Sequence, residues 1–238
     1  MPDNSVIITN AIWERNQRRR YDFYPSLDFV SAQFELDDTE IDLASTNYGN
    51  PLLSEWEKRT LLARWLDNID AQNIYDYVIF DCPPATKIVS QNAITASSCY
   101  IIPVIPEDIS SRGVTHFRNL VQTKVDAKLA FLKNNASVSD IPRNYVPTTR
   151  LAGIAPFMSR TAGRAASGLT NIHTEQLAAL RRQWGDDVLP TDARYYTGIA
   201  EAVNAGWPVW NWPGRNVSPR VRNMMRTICT ELKDRIDT

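Results

Sequence analysis

An apolar run that ends in a carboxylate is the clearest chemical signal in this chain. The stretch Tyr75-Asp76-Tyr77-Val78-Ile79-Phe80-Asp81-Cys82-Pro83-Pro84 has no polar alternation before Asp81, as expected of a parallel strand covered on both faces. Pro83 and Pro84 lack amide donors and end a ladder just past Asp81 and Cys82. Ligands of open α/β sheets gather at the carboxyl ends of such strands. Asp81 is therefore a candidate metal-directing carboxylate. The alternative is that it caps the helix that follows.

Few other residues have spacing that suggests chemistry. His116 and His173 stand apart, with no second ligand at zinc spacing. Cys82, Cys99 and Cys229 are too few and too scattered for a disulfide framework or metal knuckle, and they read as reduced core residues. No Gly-x-Ser-x-Gly elbow or Cys/His pairing points to a nucleophile. The arginines do cluster, most densely from Arg15 to Arg20. Such a run contacts nucleic acid or balances a helix dipole.

The elements that must position these residues alternate between strand and helix, the pattern of βαβ units. Strands are expected at 27–32, 75–81, 99–105, 151–157 and 187–190. Helices are expected at 36–46, 54–70, 86–96, 111–133, 170–184, 195–205 and from Pro219 to Asp237. The β-branched opening at 5–13 suits a strand, but a Ser cap and a family likeness favour a helix. Pro142, Pro147 and several Asn and Ser mark 134–150 as a loop. Trp207, Trp210 and Trp212 lie in a proline-marked stretch and read as packing anchors rather than a base-stacking platform. The 238 residues carry a net charge of −1 with 43% hydrophobic residues, which fits one globular domain and excludes a uniformly basic nucleic-acid binder. No apolar run reaches membrane-spanning length.

The order of these segments resembles the ParA/MinD family of partition and positioning ATPases, relatives of P-loop NTPases with a deviant Walker A motif. The run ending at Asp81 is similar to the family's Walker B strand. It is followed by Gln91-Asn92-Ala93 in a helix, by the strand Cys99-Tyr100-Ile101-Ile102-Pro103-Val104, and by a helix opened near Gly113. Ser26–Ala32, Asp38–Ala44, Leu151–Met158, Asp187–Thr191 and Ile199–Val209 resemble further family segments in the same order. The resemblance implies an α/β fold: a mostly parallel, doubly wound sheet with helices on both faces. It also implies one P-loop NTPase-like domain over 1–238, without the first strands and the P-loop.

The family's chemistry then supplies the remaining expectations. Asp81 would hold Mg2+ through water beside ATP, and Pro190, Thr191 and Asp192 would lie on the adenine side. Arg160, Arg164, Arg194, Arg215, Arg220, Arg222 and Arg226 would contact DNA phosphates, unless they form a solvated face with local ion pairs. Expected partners are non-specific DNA, a ParB-like centromere-binding or adaptor protein, and a second copy in a homodimer, in a cytoplasmic, nucleoid-associated setting. The phosphate cradle departs from the pattern. The first glycine is Gly49 and the first lysine is Lys58, so no glycine-rich loop with a phosphate-reaching lysine precedes Asp81. The chain is therefore expected to begin past the family's first strands, and alone neither to bind ATP tightly nor to hydrolyse it. An ATP-independent DNA- or partner-binding module is the alternative. A MinD-like membrane-positioning protein is a third reading, carried by Met224, Met225, Ile228, Leu232 and Ile236 on the last helix. The acidic Glu231, Asp234 and Asp237 there oppose anionic lipid.

Overall fold

The computed structural model describes residues 27–30, 42–43, 45–47, 49–82, 87–136, 138–160, 168–213 and 217–238. The expected helix at 5–13, most of that at 36–46, the Arg15–Arg20 run, Pro83, Pro84, Arg164 and Arg215 lie outside the described residues. The chain divides into two compact units, one within Met1–Ser98 and Asn119–Arg150, the other within Cys99–Arg118 and Leu151–Thr238.

In the first unit the Asn50 side chain accepts from the Leu52 amide at 2.9 Å and starts α1 (Pro51–Arg59), with Pro51 in the first turn, where its missing N–H costs nothing. A single helix over 54–70 is expected, but the chain breaks at Thr60 (φ −111°, ψ 12°) and resumes as α2 (Leu61–Asn68). The Thr60 hydroxyl bonds back to the Trp56 carbonyl at 3.0 Å, the competition with helix bonding that makes Thr a poor interior residue. A short α3 (Ala71–Ile74) follows Asp70, itself left-handed at φ 55°. Buried Asn92, on α4 (Ile88–Thr95), ties this break down. Its Nδ2 donates to the Lys58 and Ile88 carbonyls at 2.8 and 3.0 Å, and its Oδ1 accepts from the Leu62 amide at 3.3 Å. The family-like Asn of this helix is thus a structural bracket.

The run at 75–81 corrects the expectation of a central strand. Among the described residues it enters no ladder. Phe80 packs beside Trp65, Leu66 and Ile69, while Tyr77, Val78 and Ile79 are 47%, 43% and 88% exposed. A β-branched segment gains strand geometry from hydrogen-bonded neighbours, so without them its local preference is not realised.

The strand β1 (Cys99–Val104) opens the second unit and pairs with β2 (Arg150–Pro156). The Phe157 amide donates to the Val104 carbonyl at 2.8 Å, and residue numbers rise together along the pair, which is therefore parallel. The expected strand at 187–190 contracts to a parallel bridge between Ile154 and Val188, with the Leu189 amide on the Ile154 carbonyl at 2.9 Å. Side-chain alternation divides the faces. Ile102, Val104, Ile154 and Val188 pack with Val114 of α5 (Asp108–Leu120) and with Leu180 and Trp184 of α7 (Asn171–Trp184). On the opposite face Ile101, Ala155 and Leu189 pack with Met224, Met225, Ile228 and Leu232 of α9 (Pro219–Ile236). Helices therefore cover both faces of a parallel sheet, as expected. The apolar stripe of α9 lies in its own core and is not presented to a membrane.

From α5 the chain continues helically through a π segment at Val121–Asp126 into α6 (Ala127–Asn135). Between α7 and α9 lies α8 (Thr197–Asn204). Trp212 packs beside Val209, Val217 and Val221, and Trp207 meets it edge-on at 6.2 Å, so these tryptophans are packing anchors. Cys82 and Cys229 are exposed rather than in the core, and Cys99 is half-buried. No helix among the described residues is long and apolar enough to cross a membrane.

Candidate nucleic-acid interface

The carboxyl ends of the second unit's strands form one rim. Past β2 the chain turns through Met158, whose φ of 55° is left-handed, to Ser159 and Arg160. Ser159 is fully buried and pairs in parallel with Arg194. Its amide donates to the Ala193 carbonyl at 3.2 Å, and its carbonyl accepts from the Tyr195 amide at 3.0 Å. These bonds set Arg160 and Arg194, two of the arginines nominated from sequence, on neighbouring segments of one rim.

Beside it lies a cavity of about 620 Å³ lined by Leu177, Ala178, Arg181, Arg182, Asp192 and Arg194, among others. Its floor is apolar and its charged lining is three guanidiniums against one carboxylate, so the concavity is net positive. Arg194 Nε stands 3.5 Å from Asp192 Oδ2, and Arg181 donates to the Pro190 carbonyl at 2.8 Å. Arg182 is exposed on the last turn of α7. Sequence reasoning passes over Arg181 and Arg182. The signal is present as an Arg-Arg pair closing an amphipathic helix, but the same pair also suits the negative end of a helix dipole.

The remaining arginines divide by what they touch. Arg222 is spent on the fold, donating to the Trp212 carbonyl at 2.7 Å and to the Val217 carbonyl at 3.4 Å. Arg220 and Arg226 are exposed on α9.

Asp81 is exposed at the end of the extended run in the first unit. Among the described residues no group of three or more His, Cys, Asp or Glu is arranged to hold a metal ion. The residues nominated for adenine have their polar groups engaged. The Thr191 hydroxyl and amide both go to the Glu231 carboxylate, at 2.5 and 3.2 Å, the Pro190 carbonyl receives Arg181, and Asp192 faces Arg194. No glycine-rich loop precedes Asp81 in the sequence.

A parallel sheet between helix layers, with arginines gathered at its carboxyl ends, defines an α/β protein. The AAA domain family matches residues 7–134, more than half of the chain. The chain is 25% identical over 186 residues to the cell division protein PomZ of Myxococcus xanthus, covering 78% of this chain and 47% of PomZ. It is 35% identical over 97 residues to the sporulation initiation inhibitor protein Soj of Bacillus subtilis, covering 41% of this chain and 34% of Soj. It therefore spans about half the length of PomZ and about a third of Soj. Its fold is similar to that of Cyanothece McdA in an ATP complex, with a TM-score of 0.63 at 16% identity, covering 89% of this chain and 68% of McdA. The chain belongs to the ParA/MinD family of partition and positioning ATPases.

Proposed function

We propose that this chain is a ParA-like partition or positioning protein that meets DNA without sequence preference through the arginines of its carboxyl rim. The observation that carries this reading is the cavity that gathers Arg181, Arg182 and Arg194 beside exposed Arg160. Guanidiniums bind phosphate in a forked geometry, and a cationic concavity concentrates a polyanion. The sequence as a whole is near neutral, at a net charge of −1, so binding depends on this local patch. In this reading Asp81 is the Walker B carboxylate, and the chain alone does not bind MgATP tightly, because the groups that would face the phosphates are not among its own residues. A homodimer, a ParB-like adaptor and a nucleoid-associated setting follow from the same reading.

The test is fluorescence anisotropy with short mixed-sequence duplexes over a range of salt. Affinity should be indifferent to sequence and should fall linearly on a log–log salt plot. Arg182→Ala should flatten that slope by about 1. Binding that is insensitive to salt, or unchanged by Arg182→Ala, refutes the DNA surface. Isothermal titration with MgATP that gives micromolar affinity refutes the nucleotide part.

A further inference from the structure

His173, in the first turn of α7, is only 5% exposed although its ring is polar. Both ring nitrogens have neighbours. Nδ1 accepts the Arg160 amide at 3.1 Å, and Nε2 faces Glu107 Oε1 at 3.7 Å. A nitrogen that accepts a backbone N–H carries no proton of its own, so the ring is the neutral tautomer with its hydrogen on Nε2, toward the Glu107 carboxylate. The other backbone group of Arg160 is held from the same helix end, because its carbonyl accepts the Thr170 amide at 3.0 Å. Thr170 in turn caps α7, its hydroxyl accepting from the His173 amide at 3.4 Å.

Upstream, Met158 holds a left-handed φ of 55°, a conformation that an unbranched side chain keeps only where its surroundings over-determine it. Those surroundings are the Ser159 bonds to Ala193 and Tyr195 on one side and the His173 and Thr170 bonds to Arg160 on the other. The turn buries Ser159 and leaves Arg160 exposed. With the Nδ1 acceptor gone, the Arg160 amide loses its partner and the turn loses one of the bonds that fix where the guanidinium starts.

We infer that His173 is a positioning residue of the rim: through Nδ1 it clamps the Met158–Arg160 turn and aims Arg160 at phosphate. The phosphate half rests on the DNA reading above, while the clamp does not.

The experiment compares wild type, His173→Leu, His173→Asn, Arg160→Ala and the His173→Leu/Arg160→Ala double variant. Duplex binding is read across salt, and backbone amide exchange and imidazole ¹⁵N shifts are read by NMR on the full chain. His173→Leu should weaken binding about ten-fold, the size of one charge-assisted contact, and flatten the salt slope by about 1. The double variant should bind no more weakly than Arg160→Ala alone. His173→Asn, whose side-chain oxygen can accept the same amide, should recover most of the loss, which a volume defect alone would not allow. Arg160 amide exchange should speed up in His173→Leu while that of Leu177, further along α7, does not. The imidazole shifts should show Nδ1 without a proton.

Additive losses, undiminished binding by His173→Leu, or a protonated Nδ1 overturn the inference. Wild type that fails to bind DNA overturns the DNA reading, and the clamp is then decided by Arg160 exchange alone: unchanged exchange in His173→Leu overturns it. Global unfolding of His173→Leu would appear as faster exchange at Leu177 as well. His173→Asn then decides, with slow Arg160 exchange supporting the clamp and fast exchange refuting it.

Discussion

Replacing Asp126 by asparagine should make the protein's stability less dependent on pH, and the size of the effect can be worked from the site. Asp126 closes the π segment and is 9% exposed. Its Oδ2 accepts the Thr149 amide at 3.4 Å, and the Thr149 hydroxyl donates to the Ile94 carbonyl at 3.0 Å. Burial pushes the Asp126 carboxyl from its ordinary 3.8 up to about 6, and the Thr149 bond only partly offsets this. Nearby Tyr145 is also pushed up, first by burial and then by the Asp126 charge, and Lys133 lies over its ring at 5.7 Å.

Because the folded protein holds the Asp126 proton more tightly than the unfolded chain, stability is full below about 4 and falls as pH rises through about 6. Taken at face value the shift amounts to about 3 kcal/mol. Residual solvent access to the carboxylate reduces this to about 1–2 kcal/mol. The replacement amide has nearly the same shape as the carboxyl, still accepts from Thr149 and never charges. Relative to wild type, Asp126→Asn should therefore gain about 0.5–1 kcal/mol between pH 4.5 and pH 7.5, because part of the penalty is already present at pH 4.5, or about 1–4 °C in Tm. Thermal melts followed by circular dichroism at both pH values measure it. The double difference cancels any fixed cost of the new amide. Parallel pH profiles for the two proteins would refute the assignment of a penalised buried charge.

Further outcomes follow from individual contacts. Asn92→Leu removes the partners of the Lys58 carbonyl and the Leu62 amide, and should cost about 2–3 kcal/mol in denaturant unfolding. Gly153→Ala should cost about 1–3 kcal/mol in the same assay, because a Cβ there would stand 2.7 Å from Leu189 Cδ1 and 3.4 Å from Arg235. Ile79→Lys, at a side chain 88% exposed, should leave Tm within about 1 °C and raise the monomer fraction in sedimentation velocity, since an uncovered apolar strand-like segment associates. An unchanged association state would show that Tyr77–Ile79 is not the sticky surface.

The parts of this fold that are legible in the sequence are those where local chemistry and the final environment agree. The helices expected at 170–184 and from Pro219 begin where Thr170 and Ser218 cap them, whereas the one expected from 54 opens earlier, at Pro51 behind Asn50. Cys99–Val104 and Arg150–Pro156 are strands because each is apolar and has the other as its neighbour. The run 75–81 has the same composition as those strands and fails to become one, because pairing depends on a second segment and is not encoded in the residues that pair. Position 60 reads as helix interior because periodicity counts apolar faces and is blind to a hydroxyl that bonds backward.

The candidate site divides in the same way. Arg160 and Arg194 are nominated through the family likeness, which puts a basic DNA surface near the turns after the last strands, a rule of chain order. Arg181, Arg182 and His173 escape it because their role depends on where α7 packs. Arg182 reaches the rim cavity only when Leu177 and Leu180 face inward, and His173 reaches Arg160 only when Thr170 folds the helix start back onto the turn. A residue that acts by holding another residue's backbone carries no motif, since its partner is an amide that nearly every position offers. His173 is legible only as a lone histidine, and the contact that gives it a role appears once β2 and the start of α7 are brought together.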